Sequence, residues 1–236
     1  MIGGHASIAT SLETMQGAAR LSVRNGQHGL LTRAASRGVR PIVVNTLLSS
    51  LYALFVYANV KFFLHTGSLV SAGLVIFNTM AMTCFLLRRS ASEVTESIPN
   101  RMIACGTFLL PYGMRPAPSA PWILLGPSML GQLAGLALMI ASLIALSRSI
   151  GIVAANRGIK TGGPYAWARH PMYAGELLFL ISFLLANWMV LNAVVTCAIL
   201  VGQLVRLLHE EALLGCDRDY ALYRTVVPYR LIPGVF

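Results

Sequence analysis

The chain has 236 residues, of which 56% are hydrophobic and 11% charged, with a formal net charge of +10. A soluble domain carries about 25% charged residues, so this chain has too little polar surface to cover a water-facing globule, and one membrane domain is the simplest account. Its basic residues stand singly or in pairs between apolar runs, as at the flanks of membrane helices, which argues against a nucleic-acid partner.

Residues 1–40 hold five arginines (Arg20, Arg24, Arg33, Arg37 and Arg40) against one acid, Glu13, with no apolar h-region. They are read as a basic cytoplasmic tail or surface-lying segment, not a secretory signal; a mitochondrial transit peptide is the alternative. A spanning helix needs about 20 mainly apolar residues. Residues 41–147 supply four segments, 41–64, 68–87, 98–114 and 122–147, the first two joined by a His65-Thr66-Gly67 turn. The third is short and broken by Pro111, and a proline-rich loop from Arg115 to Pro121 follows it. In the fourth, Gly131 and Gly135 stand four apart, a spacing that lets helices approach closely, and packing is the reading adopted. Cys84, Cys105, Cys197 and Cys216 have no metal-ligand spacing and are expected to be small buried hydrophobes.

Residues 148–236 form the third part of the chain. Residues 148–170 are polar and glycine-rich; apolar sequence then runs to about Ala186, is interrupted by Asn187-Trp188, and continues to Leu208. This pattern predicts a helical hairpin turning at Asn187, followed by a charged, aromatic tail. The fold expected is an all-α polytopic transmembrane helix bundle of five to six segments. With six, the two termini and the loops near 88–101 and 148–170 share one side and hold 16 of the 18 Lys and Arg. The positive-inside rule then puts both termini in the cytoplasm, as expected for a bacterial inner-membrane protein.

Three polar constellations gather on that side. In the first, Arg169 and His170 precede a helix beginning at Pro171, where free N–H groups favour an anion; Tyr173 and Glu176 share its face. Glu176 lies inside an apolar run, where a carboxylate costs about 2.5–3.5 kcal/mol, so it should face the bundle interior and have a partner. In the second, Arg206 and Glu210 are four apart and can pair along one helix face, leaving Glu211 pointing elsewhere. In the third, Tyr220 and Tyr223 share a face that can stack on an adenine or lie against a sulfonium. The blander alternatives are an interfacial aromatic belt, a polar helix end and an amphipathic tail.

The ordered set GGPYxxxRHPMYxGE, RxxxEExxL and DYxxYRxxVPYRLIPG, with Asn156 to Lys160 ahead of it, resembles the isoprenylcysteine carboxyl methyltransferase and phospholipid N-methyltransferase superfamily of integral membrane methyltransferases. The resemblance covers residues 150–236. It implies S-adenosylmethionine held between the loop before the hairpin and the C-terminal tail, and a lipophilic methyl acceptor. Gly163, Tyr165, His170, Tyr173, Glu210 and Tyr220 would line the cofactor site, and Arg169, Arg206 and Glu211 would stand near the reacting centre. No metal is required, because a sulfonium methyl is already electrophilic. The RHPMY element and the VPYRLIP ending also resemble NADPH-dependent membrane sterol or enone reductases. The Glu210-Glu211 pair favours the methyltransferase. A non-enzymatic membrane subunit or transporter is the third reading; its polar groups would be expected nearer mid-membrane.

Overall fold

With no water in the hydrocarbon core, every backbone polar group of a spanning segment must be satisfied internally, and the apolar runs answer by forming helices. The computed structural model describes residues 31–33, 39–88, 93–95, 97–117, 121–152, 155–156 and 158–236. Seven helices follow in order among them: α1 (Val39–Thr66), α2 (Leu69–Leu86), α3 (Ile98–Leu109), α4 (Trp122–Leu146), α5 (Pro171–Ala186), α6 (Val190–Leu214) and α7 (Arg218–Val226). Four stretches are long and apolar enough to cross a membrane: Ile42–Thr66, Leu69–Leu86, Trp122–Ser149 and Val190–Leu214. The chain is thus a helical bundle of the kind that membranes hold. Much of its apolar surface faces outward, as Leu64 at 76% and Trp122 at 83% exposure show.

That outward surface corrects the cysteine expectation. Cys105, Cys197 and Cys216 are exposed and Cys84 is half-buried, because an apolar helix in this bundle need not turn its small residues inward. The α1–α2 turn is also tighter than expected. α1 continues through His65 and Thr66, and Gly67 closes it at φ +64, a left-handed conformation that suits glycine, with Ser68 capping α2.

α4 and α5 approach one another closely, and the glycines explain it. A Cβ on Gly135 would lie 2.6 Å from the Gly175 carbonyl oxygen, and one on Gly175 2.8 Å from that of Gly135. Gly131 meets Ser182 in the same way, so the small-residue stripe is packing. α5 and α6 form the expected hairpin around Asn187, whose side chain accepts from the Ala117 amide at 3.0 Å.

α3 has only 12 residues, yet together with the chain that follows it to Arg115 it runs beside much of α6. At one end Asn100 meets His209 at 3.2 Å; at the other the Arg115 amide donates to Asn192 at 3.0 Å. A 3₁₀ turn at Leu110–Gly113, where Pro111 breaks the α-helix, supplies the missing length, since 3₁₀ backbone rises more per residue.

The loops add what a purely helical expectation omits. Strands β1 (Leu31–Arg33), β2 (Glu93–Thr95) and β3 (Ala155–Asn156) pair antiparallel in the order β1-β2-β3, with Leu31 opposite Thr95 and Glu93 opposite Asn156. This ladder joins three segments that the charge pattern assigned to one side. The rest of the basic N-terminal tail, residues 1–30 and 34–38, lies outside the described residues.

Candidate active site

Helix α5 begins at Pro171, which fits the first turn because its missing N–H would have no helical partner there. This start fixes Arg169 and His170 just ahead of it. The C-terminal stretch of chain returns alongside: the Arg169 amide donates to the Tyr229 carbonyl at 3.0 Å and the His170 amide to that of Arg230 at 2.8 Å.

The centre of the arrangement is Glu211. Arg169 grips it with two parallel bonds, Nε to Oε1 at 2.7 Å and Nη2 to Oε2 at 3.0 Å. His170 Nε2 stands 3.0 Å from Oε1, the Tyr220 hydroxyl donates to Oε1 at 2.8 Å, and Arg230 Nε reaches Oε2 at 3.3 Å. Arg169 Nη1 donates to the Val227 and Pro228 carbonyls, both at 3.0 Å. Arg169, His170 and Glu211 are all buried. A buried carboxylate is tolerable only when its lone pairs are met this fully. The result is a knot tying the loop before α5, the end of α6 and the tail.

The neighbouring Glu210 has a different environment. Its Oε2 accepts from the Tyr173 hydroxyl at 2.7 Å, and among the described residues Oε1 takes no hydrogen bond. His170 stacks on Tyr173, the ring planes 6° apart with centroids at 5.5 Å. These groups line a cleft of about 780 Å³, its open mouth included, together with Tyr165, Tyr220 and Tyr223. Tyr220 and Tyr223 meet edge to face at 5.8 Å. The Tyr223 hydroxyl donates to the Tyr165 carbonyl at 2.5 Å, which pins α7 over the loop.

Burial acts first on the three tyrosines outside the spans. It pushes Tyr165 well above the ordinary phenol range, with the Glu210 charge adding to the effect. Tyr220 moves the same way, by burial and then by the charge and hydrogen bond of Glu211. Tyr223 is pushed up to about 12 by burial, with Arg169 opposing and Glu211 reinforcing. All three therefore stay neutral, and Tyr220 and Tyr223 donate through their hydroxyls.

Of the residues singled out from the sequence, Arg169, His170, Tyr165, Tyr173, Glu210 and Tyr220 line this cleft. Gly163, Arg206 and Glu211 are outside its lining. Gly163 sits at φ +63 at the start of the 3₁₀ turn Gly163–Ala166, so its conformation accounts for the glycine. Arg206 faces a second cavity, which shares Tyr173 and Glu210 with the first. The expected Arg206–Glu210 ion pair does not form. Arg206 donates to the Ile152 carbonyl at 3.0 Å and lies over the Tyr173 ring at 5.1 Å. Glu176 has the interior partner it requires, the amide of Gln203.

Sequence reasoning did not single out Gln203 or Arg230. Gln203 stands three before Arg206 and seven before Glu210, a one-face spacing that carries the signal. Arg230 lies in the VPYRLIPG motif, but nothing in that motif says it reaches back to Glu211. Compared with known proteins, the chain matches no family model and no curated protein.

Proposed function

We propose that the protein is an S-adenosylmethionine-dependent methyltransferase acting on a membrane-associated, lipid-like acceptor. The observation that carries the reading is convergence. Tyr165, His170, Tyr173, Glu210 and Tyr220 come from three separate motifs and line one cleft.

The chemistry of the lining fits a sulfonium nucleoside. The open Oε1 of Glu210 favours a cation, and the tyrosine and histidine faces suit a purine or a sulfonium. When bound, S-adenosylmethionine supplies an electrophilic methyl carbon. The chain's part is to align the acceptor with that carbon, because proximity and orientation carry most of such a displacement. Tyr173 holds Glu210 in place, and the Arg169–Glu211 knot holds His170 and the tail against the cleft. Arg169 and Glu211 thus act as positioning residues in this reading, since their polar atoms are already engaged.

The same reading takes six membrane segments, counting α3 with its 3₁₀ turn and α5, with the cleft and both termini on the cytoplasmic side. A water-soluble cofactor then enters from the cytosol and the acceptor from the bilayer.

Heat of binding in detergent separates the alternatives. S-adenosylmethionine and S-adenosylhomocysteine are expected to bind and NADPH not to. Binding of NADPH alone would move the assignment to a membrane reductase, and binding of none would leave a non-enzymatic role.

A further inference from the structure

We infer that the open groove between the last turns of α4 and residues 159–164 binds an anionic phospholipid, its phosphate on Lys160 and its acyl chains along α4. The leaflet is the cytoplasmic one of the proposed orientation; the binding does not depend on the methyltransferase reading. Position, shape and charge each support it.

The groove lies at headgroup depth. α4 belongs to the spanning stretch Trp122–Ser149, and the groove takes Ala141, Ile144 and Ala145 from the end of that helix. The facing wall is residues 159–164 of the polar loop. Trp167, three residues further on, is 74% exposed, as suits a tryptophan at the membrane–water interface.

The shape suits an amphiphile. The groove offers about 500 Å³. Its floor is a contact between loop and helix: a Cβ on Gly163 would lie 3.6 Å from Ala145 Cβ. Beside it, a Cβ on Gly162 would meet nothing within 4 Å, so the loop stands clear there. Farther into the bilayer, α4 turns Ala137 and Ala134 outward, below Ala141. These short side chains leave a shallow track beside the exposed Ile144 for an acyl chain.

The charge selects the headgroup. Lys160 is half-buried, and among the described residues neither its ammonium nor the Thr161 hydroxyl has a partner. No Asp or Glu lines the groove. A phosphate therefore finds two donors, whereas the ammonium of a zwitterionic headgroup finds no counter-charge. A free phosphate would leave the apolar faces of Ala141 and Ile144 unused. Anionic lipids populate the cytoplasmic leaflet, where basic pockets at helix ends hold their headgroups.

The groove shares a wall with the candidate cleft. Ile159 and Lys160 line both, and Pro164 of the groove precedes Tyr165 of the cleft. A seated lipid thus steadies that wall.

The test uses the full chain in nanodiscs of equal phosphatidylglycerol and phosphatidylcholine, with the retained lipid read by native mass spectrometry. Wild type is expected to retain the glycerol lipid about fivefold over the choline lipid, the preference one lysine supplies at a membrane surface. Lys160→Met should bring the ratio near one, and Lys160→Arg should restore it. Ala141→Phe, which fills the groove from the helix side, should lower retention of the glycerol lipid while the protein keeps its thermal midpoint. Amide exchange in residues 159–163 should be slower in phosphatidylglycerol nanodiscs than in phosphatidylcholine ones. Soluble glycerol phosphate added to the choline nanodiscs should not reproduce that protection. An unchanged lipid ratio in Lys160→Met, or no restoration by Lys160→Arg, would overturn the site. Exchange in residues 159–163 indifferent to the lipid would overturn it too, and protection by glycerol phosphate alone would assign the groove to a soluble anion instead.

Discussion

At the residue scale, two adjacent carboxylates divide the labour, and neighbours rather than residue type assign the roles. Glu211 is saturated by Arg169, His170, Tyr220 and Arg230; Glu210 keeps one oxygen open. Removing one partner of a buried pair costs about 3–5 kcal/mol. Glu211→Ala is therefore expected to lower the thermal midpoint in detergent sharply and loosen the tail to proteolysis. Glu210→Gln should leave that midpoint nearly unchanged and abolish adenosyl-ligand binding. A reversal of the two outcomes would refute the division. Tyr223 makes a separate pH prediction. Its folded pKa, about 12, exceeds the unfolded value of about 10. The stability it contributes is fully present below the unfolded value and is lost as pH rises through the folded one. Thermal scans should show wild type losing more stability than Tyr223→Phe between about pH 10 and pH 12; parallel losses would refute the assignment.

At the element scale, backbone contact between α4 and α5 sets where the cleft begins, because α5 carries His170 at its start and Tyr173 in its first turn. Overpacking such a contact costs about 1–3 kcal/mol or more. Gly135→Val, whose Cβ would meet the Gly175 oxygen and the Phe179 amide, should destabilise the protein by at least that. Gly126→Ala, with nothing within 4 Å of its Cβ, should not; equal thermal midpoints would contradict the packing account. The Gly131 and Gly135 spacing made this contact legible in the sequence, and Asn187 made the hairpin legible. The Arg206–Glu210 pair was not: its i, i+4 spacing allows the contact, but Arg206 turns instead to the Ile152 carbonyl and the Tyr173 ring. Helical spacing says which residues share a face; which neighbour a long side chain takes depends on the elements packed against it.

For the whole molecule, sidedness organises the reading. The ladder of Leu31–Arg33, Glu93–Thr95 and Ala155–Asn156 draws together segments that the basic residues had assigned to one side. The proposed orientation predicts that a single-cysteine protein retaining Cys216 is labelled by a membrane-impermeant thiol reagent only from the cytoplasmic face. Cysteine introduced at Arg115 should be labelled only from the opposite face; labelling of both from one side would refute the orientation. Membrane residence, the main apolar segments and the hairpin were determined by the sequence, because run length, spacing and the cost of buried charge are local properties of the chain; most of the cleft residues were named there by the motifs that carry the resemblance. The split of Glu210 from Glu211, the role of Arg230 and the second cavity were decided by the tertiary structure. Each depends on groups distant in sequence meeting at one carboxylate or across one helix pair, and no local pattern encodes that.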